Sequence, residues 1–430
     1  MSRSQIQLTG ELEIAKLARQ ARDMKMTSLN RHLTQEWMEE AYRRTRKTGA
    51  VGIDGQTAQE FEQNLRANLT DLLNLAKSGR YHAPPVRRTL IPKGNSGELR
   101  GLGIPTFSDK LLQRAVLMIF EAVYEQDFLS CSYGFRPGRS ALMASDEVQG
   151  TIFRWGDCYV IDVDVRKYFD SIPHKTLHDM IKLRITDGVL NRLIGKWLNA
   201  GVYEDGITKI HEIGSPQGAV ISPCLANVYL HHVLDTWFEE VVVHHCSAPV
   251  KLVRYADDFV IMAKSEQDAK RIFAVLDKRF AKFGLRIHEE KTRIVHFSPK
   301  SGRSFDFLGF THYWGKSRKG KQIPKRKTAK DRVVRIAKKI KDRCKHMQHS
   351  PLVEQVKMLN SILLGVYNYY GVTHNIRSLY GIRRIAEKHW FKSLKQRAQR
   401  RTLTWIDFNV IVEKVSLAPP KIVHSILRTG

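Results

Sequence analysis

Cysteine is scarce and unpaired in pattern. The five residues, Cys131, Cys158, Cys224, Cys246 and Cys344, form no C-x-x-C spacing, which excludes a cysteine-rich zinc module and argues against a disulfide framework. Long apolar runs are missing too. Nowhere do about 18 apolar residues stand together, and the opening MSRSQIQLTGELEIAK has no apolar signal core. Neither membrane insertion nor secretion is therefore expected, and the cytoplasm is the expected compartment. With 28 Gly and 14 Pro in 430 residues and no repeat or low-complexity tract, collagen-like and disordered classes are also excluded. At roughly 100–200 residues per domain, the length suffices for about two to four domains.

Negative charge is the other shortage. Asp and Glu number 43 against 71 Lys and Arg, a net charge of +28. A surplus of this size repels itself unless a polyanion neutralises it, so nucleic acid is the expected partner. The charge is concentrated: residues 311–430 hold 28 Lys and Arg but only 6 acids. Within 331–347, Val333, Ile336, Ala337, Ile340, Cys344 and Met347 keep helical spacing. Arg332, Arg335, Lys338, Lys339, Lys341, Arg343 and Lys345 fill most of the rest. Such a helix packs one stripe and offers the other to phosphates.

The remainder reads as α+β. Residues 1–80 are helical, with amphipathic stretches near 11–24 and 35–47 and a Gly-rich break at 49–55. From Arg87 the chain turns to a strand pair (RRTLIPKGNSGELRGLGIP), a helix (SDKLLQRAVLMIFEAVYEQDF) and a structured loop (SYGFRPGRS). Residues 157–312 mix strand-like runs (CYVIDVDV, KLVRYADDFVIMA, FDFLGFTHYW) with helical ones, and beyond 316 the chain is helical and basic.

Two acidic strands carry the chemistry. In YVIDVDVRKYFD, alternation places Ile161, Val163 and Val165 on one face and Val160, Asp162 and Asp164 on the other. In KLVRYADDFVIMA, two strand-forming runs flank Ala256-Asp257-Asp258, which predicts a tight hairpin with paired acids at its tip. Adjacent acids repel unless solvent or metal neutralises them. A hairpin tip beside the end of the other strand can gather three carboxylates around two Mg²⁺ about 3.5–4 Å apart, the arrangement that activates a 3′-hydroxyl and stabilises a leaving pyrophosphate. Oxygen-only ligands suit Mg²⁺ rather than zinc.

The motifs GIDG (52–55), RRTLIPK (87–93), LRGLGIP (99–105), SYGFRPGRS (132–140), DVRKYFDSI (164–172), GSPQGAVISPCLAN (214–227), RYADDF (254–259), LRIHEEKT (285–292), FDFLGF (305–310) and NSILLGVYNYYGV (360–372) stand in this order. Together, over residues 30–425, they resemble reverse transcriptases encoded by group II introns, also called maturases. The resemblance implies a right-hand polymerase fold: a helical extension at 1–80, fingers at 81–156, palm at 157–312, and a basic helical thumb with maturase domain X at 313–430. It implies DNA synthesis from dNTPs with two Mg²⁺ on an RNA template with a DNA primer. It also implies binding of structured intron RNA for splicing, and of a DNA target for retrohoming.

Residue by residue, Asp164, Asp257 and Asp258 match the metal-binding triad, with the backbone carbonyl of Val165 assisting, while Asp162 matches no catalytic position. Lys93 and Arg100 match cations that clamp the triphosphate. Phe169 matches the aromatic that lies under the sugar and excludes a 2′-hydroxyl. Gln217, between Gly214 and Gly218, matches a residue contacting the incoming nucleotide, and Lys291 matches a proposed proton donor to pyrophosphate. Tyr367, Tyr369 and Tyr370 could stack on unpaired bases or fill a core, and at least one of them is expected to be core. Trp390, Arg397, Gln399, Arg400 and Arg401 suit packing plus phosphate contact. Many relatives continue into a His-Asn-His nuclease domain. Because the chain stops at PPKIVHSILRTG, it is expected not to cut DNA and to use a primer supplied by the host. Other readings stay open: an RNA-binding splicing cofactor without polymerase activity, or a host-defence or CRISPR-associated reverse transcriptase. An RNA-dependent RNA polymerase also fits the carboxylates, and Phe169 argues against it.

Overall fold

The computed structural model describes residues 9–92, 99–204, 207–209, 213–214, 218–397 and 403–425. Two compact units result, one from the chain up to Ala144 together with Tyr159–Ile294, the other chiefly from Ser145–Cys158 and Val295 onward. Helix Ala141–Trp155 falls largely in the second unit, as does the strand run from Phe305.

In the first unit the helix Phe107–Tyr124 is the packing axis. None of its residues is exposed, and Leu111, Leu112, Ala115, Val116, Ile119 and Phe120 are fully buried, as on a helix enclosed on nearly every side. The amphipathic helices Thr9–Gln20 and Gln35–Arg44 lie against it, and Trp37 donates its indole N–H to the Ala115 carbonyl at 2.9 Å. Strand Val86–Pro92 pairs antiparallel with Leu99–Ile104 and runs parallel to Val202–Glu204.

The sheet that matters for function has the order Val250–Tyr255, Asp258–Ala263, Cys158–Asp164, Arg293–Phe297. Its inner strand Asp258–Ala263 is buried at every position after the first. Covering both faces of Phe259–Ala263 in this way contributes roughly 1.5–3 kcal/mol for each large apolar side chain. Only the acidic end reaches solvent.

The second unit has its own core, formed by Ile340, Leu359, Leu363, Tyr367, Trp390 and Phe408 among others. Helix Lys330–His346 buries only Ile340 and Cys344, so the apolar stripe expected from spacing is narrow and the basic face wide. The tyrosines turn inward. Tyr367 is fully buried, Tyr369 stacks on Phe310 with ring centroids 5.6 Å apart, and Tyr370 packs on the same ring. Trp390 is likewise core, donating to Gln355 at 2.8 Å; Gln399, Arg400 and Arg401 lie outside the described residues. Among the described residues no helix is long and apolar enough to cross a membrane.

One buried histidine makes this unit acid-sensitive. His312, in strand Phe310–Lys316, stacks flat on Phe305 at 4.9 Å, with its Nε2 buried and unpartnered. Burial first, and the nearby Arg326 second, pull its pKa down from 6.5 to about 3. The folded state therefore holds the neutral ring. The stability this contributes is complete above pH 6.5 and is lost as pH falls below it, by about 2 kcal/mol at pH 5. His312→Phe is expected to shrink the drop in Tm between pH 7 and pH 5, measured by thermal denaturation. An unchanged drop would show that His312 is not the group responsible.

Candidate active site

Alternation along Cys158–Asp164 does what the sequence requires. Ile161, Val163 and Val165 are buried, while Asp162 is half-buried and Asp164 is exposed. Val160, on the acidic face by parity, is also buried, so that face is covered at its start and opens only at Asp164.

Register then brings in the second acidic segment. Cys158–Asp164 pairs antiparallel with Asp258–Ala263, and Asp164 stands directly opposite Asp258. Opposed residues share a face with β-carbons roughly 5 Å apart. Tyr255 and Asp258 close the hairpin, leaving Ala256 and Asp257 as its two-residue loop. Ala256 has φ of +56°, a left-handed conformation that a residue with a β-carbon adopts at a cost of order 1 kcal/mol. Like charges set opposite each other are destabilising, so this end of the sheet favours a cation.

The cation at hand is Lys291. Its Nζ lies 3.5 Å from an Asp164 carboxylate oxygen, both side chains being about half exposed. Its turn is stitched to the strand end: the His288 amide donates to the Asp164 carbonyl at 2.7 Å, and the Lys291 and Thr292 amides donate back to the His288 carbonyl. Asp162, one pleat earlier, faces a different cation, with Arg293 Nε at 3.6 Å.

The donor set fits a hard divalent ion: carboxylate oxygens of Asp164, Asp257 and Asp258, with the Val165 backbone beside them. The bridge between Val165 and Ile287 is made through the Asp164 carbonyl and the Arg166 amide, and neither bond uses the Val165 carbonyl. Among the described residues no three His, Cys, Asp or Glu side chains form a ready-made metal cage. An open, oxygen-only site of this kind suits Mg²⁺, which keeps part of its shell for water and substrate phosphates.

The other expected residues distribute as follows. Phe169 sits on the short helix Tyr168–Ser171, half-buried and edge-on to Tyr168 at 5.4 Å. Tyr168 is the core member of that pair, its hydroxyl donating to the Ala226 carbonyl at 2.6 Å. Arg100 lies on Leu99–Ile104 opposite Ile91, with its side chain outside the described residues, as are Lys93 and Gln217. Gly218, just after Gln217, has φ of +111°, and a β-carbon there would come within 2.5 Å of the Gly103 carbonyl oxygen. Backbone contact this close requires glycine.

One residue the sequence reading passed over is Arg254. It is fully buried, two positions before the loop. Period-two alternation from the buried Leu252 would have pointed it inward; an arginine on the buried face of a strand is the signal that was available.

Over residues 91–312 the chain matches the family described as Reverse transcriptase (RNA-dependent DNA polymerase). It is 32% identical over 386 residues to Protein YkfC of Escherichia coli strain K12, covering 80% of this chain and 95% of that protein. It is 31% identical over 410 residues to Group II intron-encoded protein LtrA of Lactococcus lactis subsp. cremoris, covering 76% of this chain and 67% of that protein.

Proposed function

The chain belongs to the reverse transcriptases encoded by group II introns, and on that premise we propose that Asp164, Asp257 and Asp258, with the Val165 carbonyl, hold two Mg²⁺ for nucleotidyl transfer. The protein is an RNA-directed DNA polymerase with a role in intron splicing, and it works with divalent ions, dNTPs, intron RNA and nucleic-acid templates. The finer proposal covers a DNA target for retrohoming, a cytoplasmic location, and fingers, palm and thumb at 81–156, 157–312 and 313–430. The observation that supports the site is the register setting Asp164 opposite Asp258 at the open end of a buried strand pair.

When bound there, Mg²⁺ makes the primer 3′-hydroxyl more acidic and neutralises charge on the triphosphate. In the reaction the 3′-hydroxyl gives up its proton to solvent water as its oxygen forms a bond to the α-phosphorus of the dNTP, the bond from that phosphorus to its bridging oxygen breaks, and pyrophosphate departs with the electron pair. Lys291, already beside Asp164, donates a proton to the leaving oxygen. Lys93 and Arg100 clamp the phosphates, where several cationic donors are needed against up to about four negative charges. Gln217 contacts the incoming nucleotide. Phe169 lies under the sugar, where a 2′-hydroxyl would collide with it.

Primer extension on poly(rA) with oligo(dT), dTTP and Mg²⁺ tests the proposal. Product is expected, and folded protein giving none would leave an RNA-binding cofactor as the better reading. In the same assay Phe169→Ala is expected to raise NTP use relative to dNTP use about 10- to 100-fold, the scale on which a small steric feature discriminates. Unchanged selectivity would reduce Phe169 to a packing residue.

A further inference from the structure

The guanidinium of Arg254 is fully buried, and all five of its N–H groups are accounted for. Nε donates to Asp235 Oδ1 at 2.7 Å and Nη2 to Asp235 Oδ2, making a two-pronged ion pair with a carboxylate that is itself fully buried. Nη2 also donates to the Ser132 hydroxyl at 2.8 Å. Nη1 donates to the Asn227 side-chain oxygen at 2.9 Å and to the Ala256 carbonyl at 3.1 Å. The last contact reaches the loop residue immediately before Asp257.

Other contacts around this guanidinium lead to the same loop. Asn227 passes its amide on to the Gly134 carbonyl at 2.6 Å. Gly134 lies so close to the loop that a β-carbon on it would stand 2.3 Å from the Ala256 nitrogen. The backbone of Arg254 is clamped as well: its amide donates to the Cys131 carbonyl, and its carbonyl accepts from the Tyr133 amide, each at 2.8 Å. Asp235 ends a π-helical stretch, His231–Asp235, with the Thr236 amide donating back to the His231 carbonyl. Such widened turns recur at functional sites.

Stability alone is a poor reason for this arrangement. A buried ion pair gives up so much hydration that well-packed apolar residues of similar size usually do as well or better. What apolar residues cannot do is hold a carbonyl oxygen in one place. Ala256 needs such a hold, because its left-handed conformation is one that an alanine leaves readily.

We propose that Arg254, oriented by Asp235 and Asn227, is a positioning residue that fixes Ala256 in this conformation and so sets where Asp257 and Asp258 present their carboxylates. The inference rests on the reading of those carboxylates as the metal-binding groups. Removing Arg254 alone strands a buried carboxylate and risks the fold, so the test is the double variant Arg254→Met/Asp235→Leu, which removes both charges. Its Tm and RNA affinity are expected to stay near the parent values. Its kcat is expected to fall about 100-fold, as roughly 1 Å of misplacement at a catalytic group does, and its half-saturating Mg²⁺ concentration to rise several-fold. Without metal, hydrogen–deuterium exchange of a peptide spanning 254–259 is expected to quicken. A folded double variant with parental kcat, Mg²⁺ response and exchange would overturn the proposal. Should the double variant not fold, Asn227→Ala decides: it leaves the ion pair intact and is expected to lower kcat about tenfold and quicken exchange in the same peptide, and parental values in both would sink the idea. Extension by the parent enzyme separates the two levels. If the parent makes no product, the reading of the carboxylates has failed; if parent and variant extend alike, only the positioning role has.

Discussion

Asp257→Asn is expected to abolish DNA synthesis, by at least about 10³-fold in primer extension, while leaving RNA affinity within a few-fold of the parent. The substitution keeps size and shape, and it falls in a solvent-reaching two-residue loop whose neighbour Ala256, not Asp257, sets the backbone strain. What it removes is one negative charge from the proposed divalent-ion site, and charge stabilisation of this kind is usually the largest single contribution to catalysis. RNA affinity rests on the basic surplus elsewhere in the chain and should barely change. Primer extension, filter binding and a melting curve on one preparation suffice as the check. Loss of RNA binding together with synthesis would mean that the hairpin has a structural role, and retained synthesis would remove Asp257 from the metal site.

RNA affinity itself is expected to fall by about 10³ or more between 50 and 200 mM salt, which is the counterion release that follows when about six or more phosphates are neutralised. The basis is the excess of 28 Lys and Arg over 6 acids in residues 311–430 and the way helix Lys330–His346 is packed. Only Ile340 and Cys344 of that helix are buried, and just two acids, Asp331 and Asp342, stand among its cations. Asp331 is already paired with Arg335. Most of the positive face is thus free of compensation within the helix. Fluorescence anisotropy with structured RNA across a salt series measures the slope. A flat response would show that the basic segment does not grip phosphate.

The site was legible in the sequence to the extent that it is local. Alternation in 158–164 places Asp164 outward beside buried Val163 and Val165 with no knowledge of the fold, because strand periodicity is a property of the backbone. A pair of acids between two strand-forming runs likewise makes a hairpin wherever those runs end up. The same reasoning could place at least one of Tyr367, Tyr369 and Tyr370 in the core but not say which, and only the Phe310 ring, some 60 residues away in sequence, resolved Tyr369 and Tyr370 into packing partners.

Chemistry by itself came from the sequence: outward acids on two strands, a cation-rich end, and residue types that suit Mg²⁺ and phosphate. Pairing came from the tertiary structure. That Asp164 faces Asp258, that Lys291 reaches Asp164, and that the Arg254 guanidinium meets Asp235, Asn227 and Ser132 each depends on segments from 19 to 127 residues apart coming together. Periodicity and charge are carried along the chain and can be read there. Register and buried ion pairs exist only once distant segments exclude water between them, because the desolvation that makes such contacts specific happens in three dimensions.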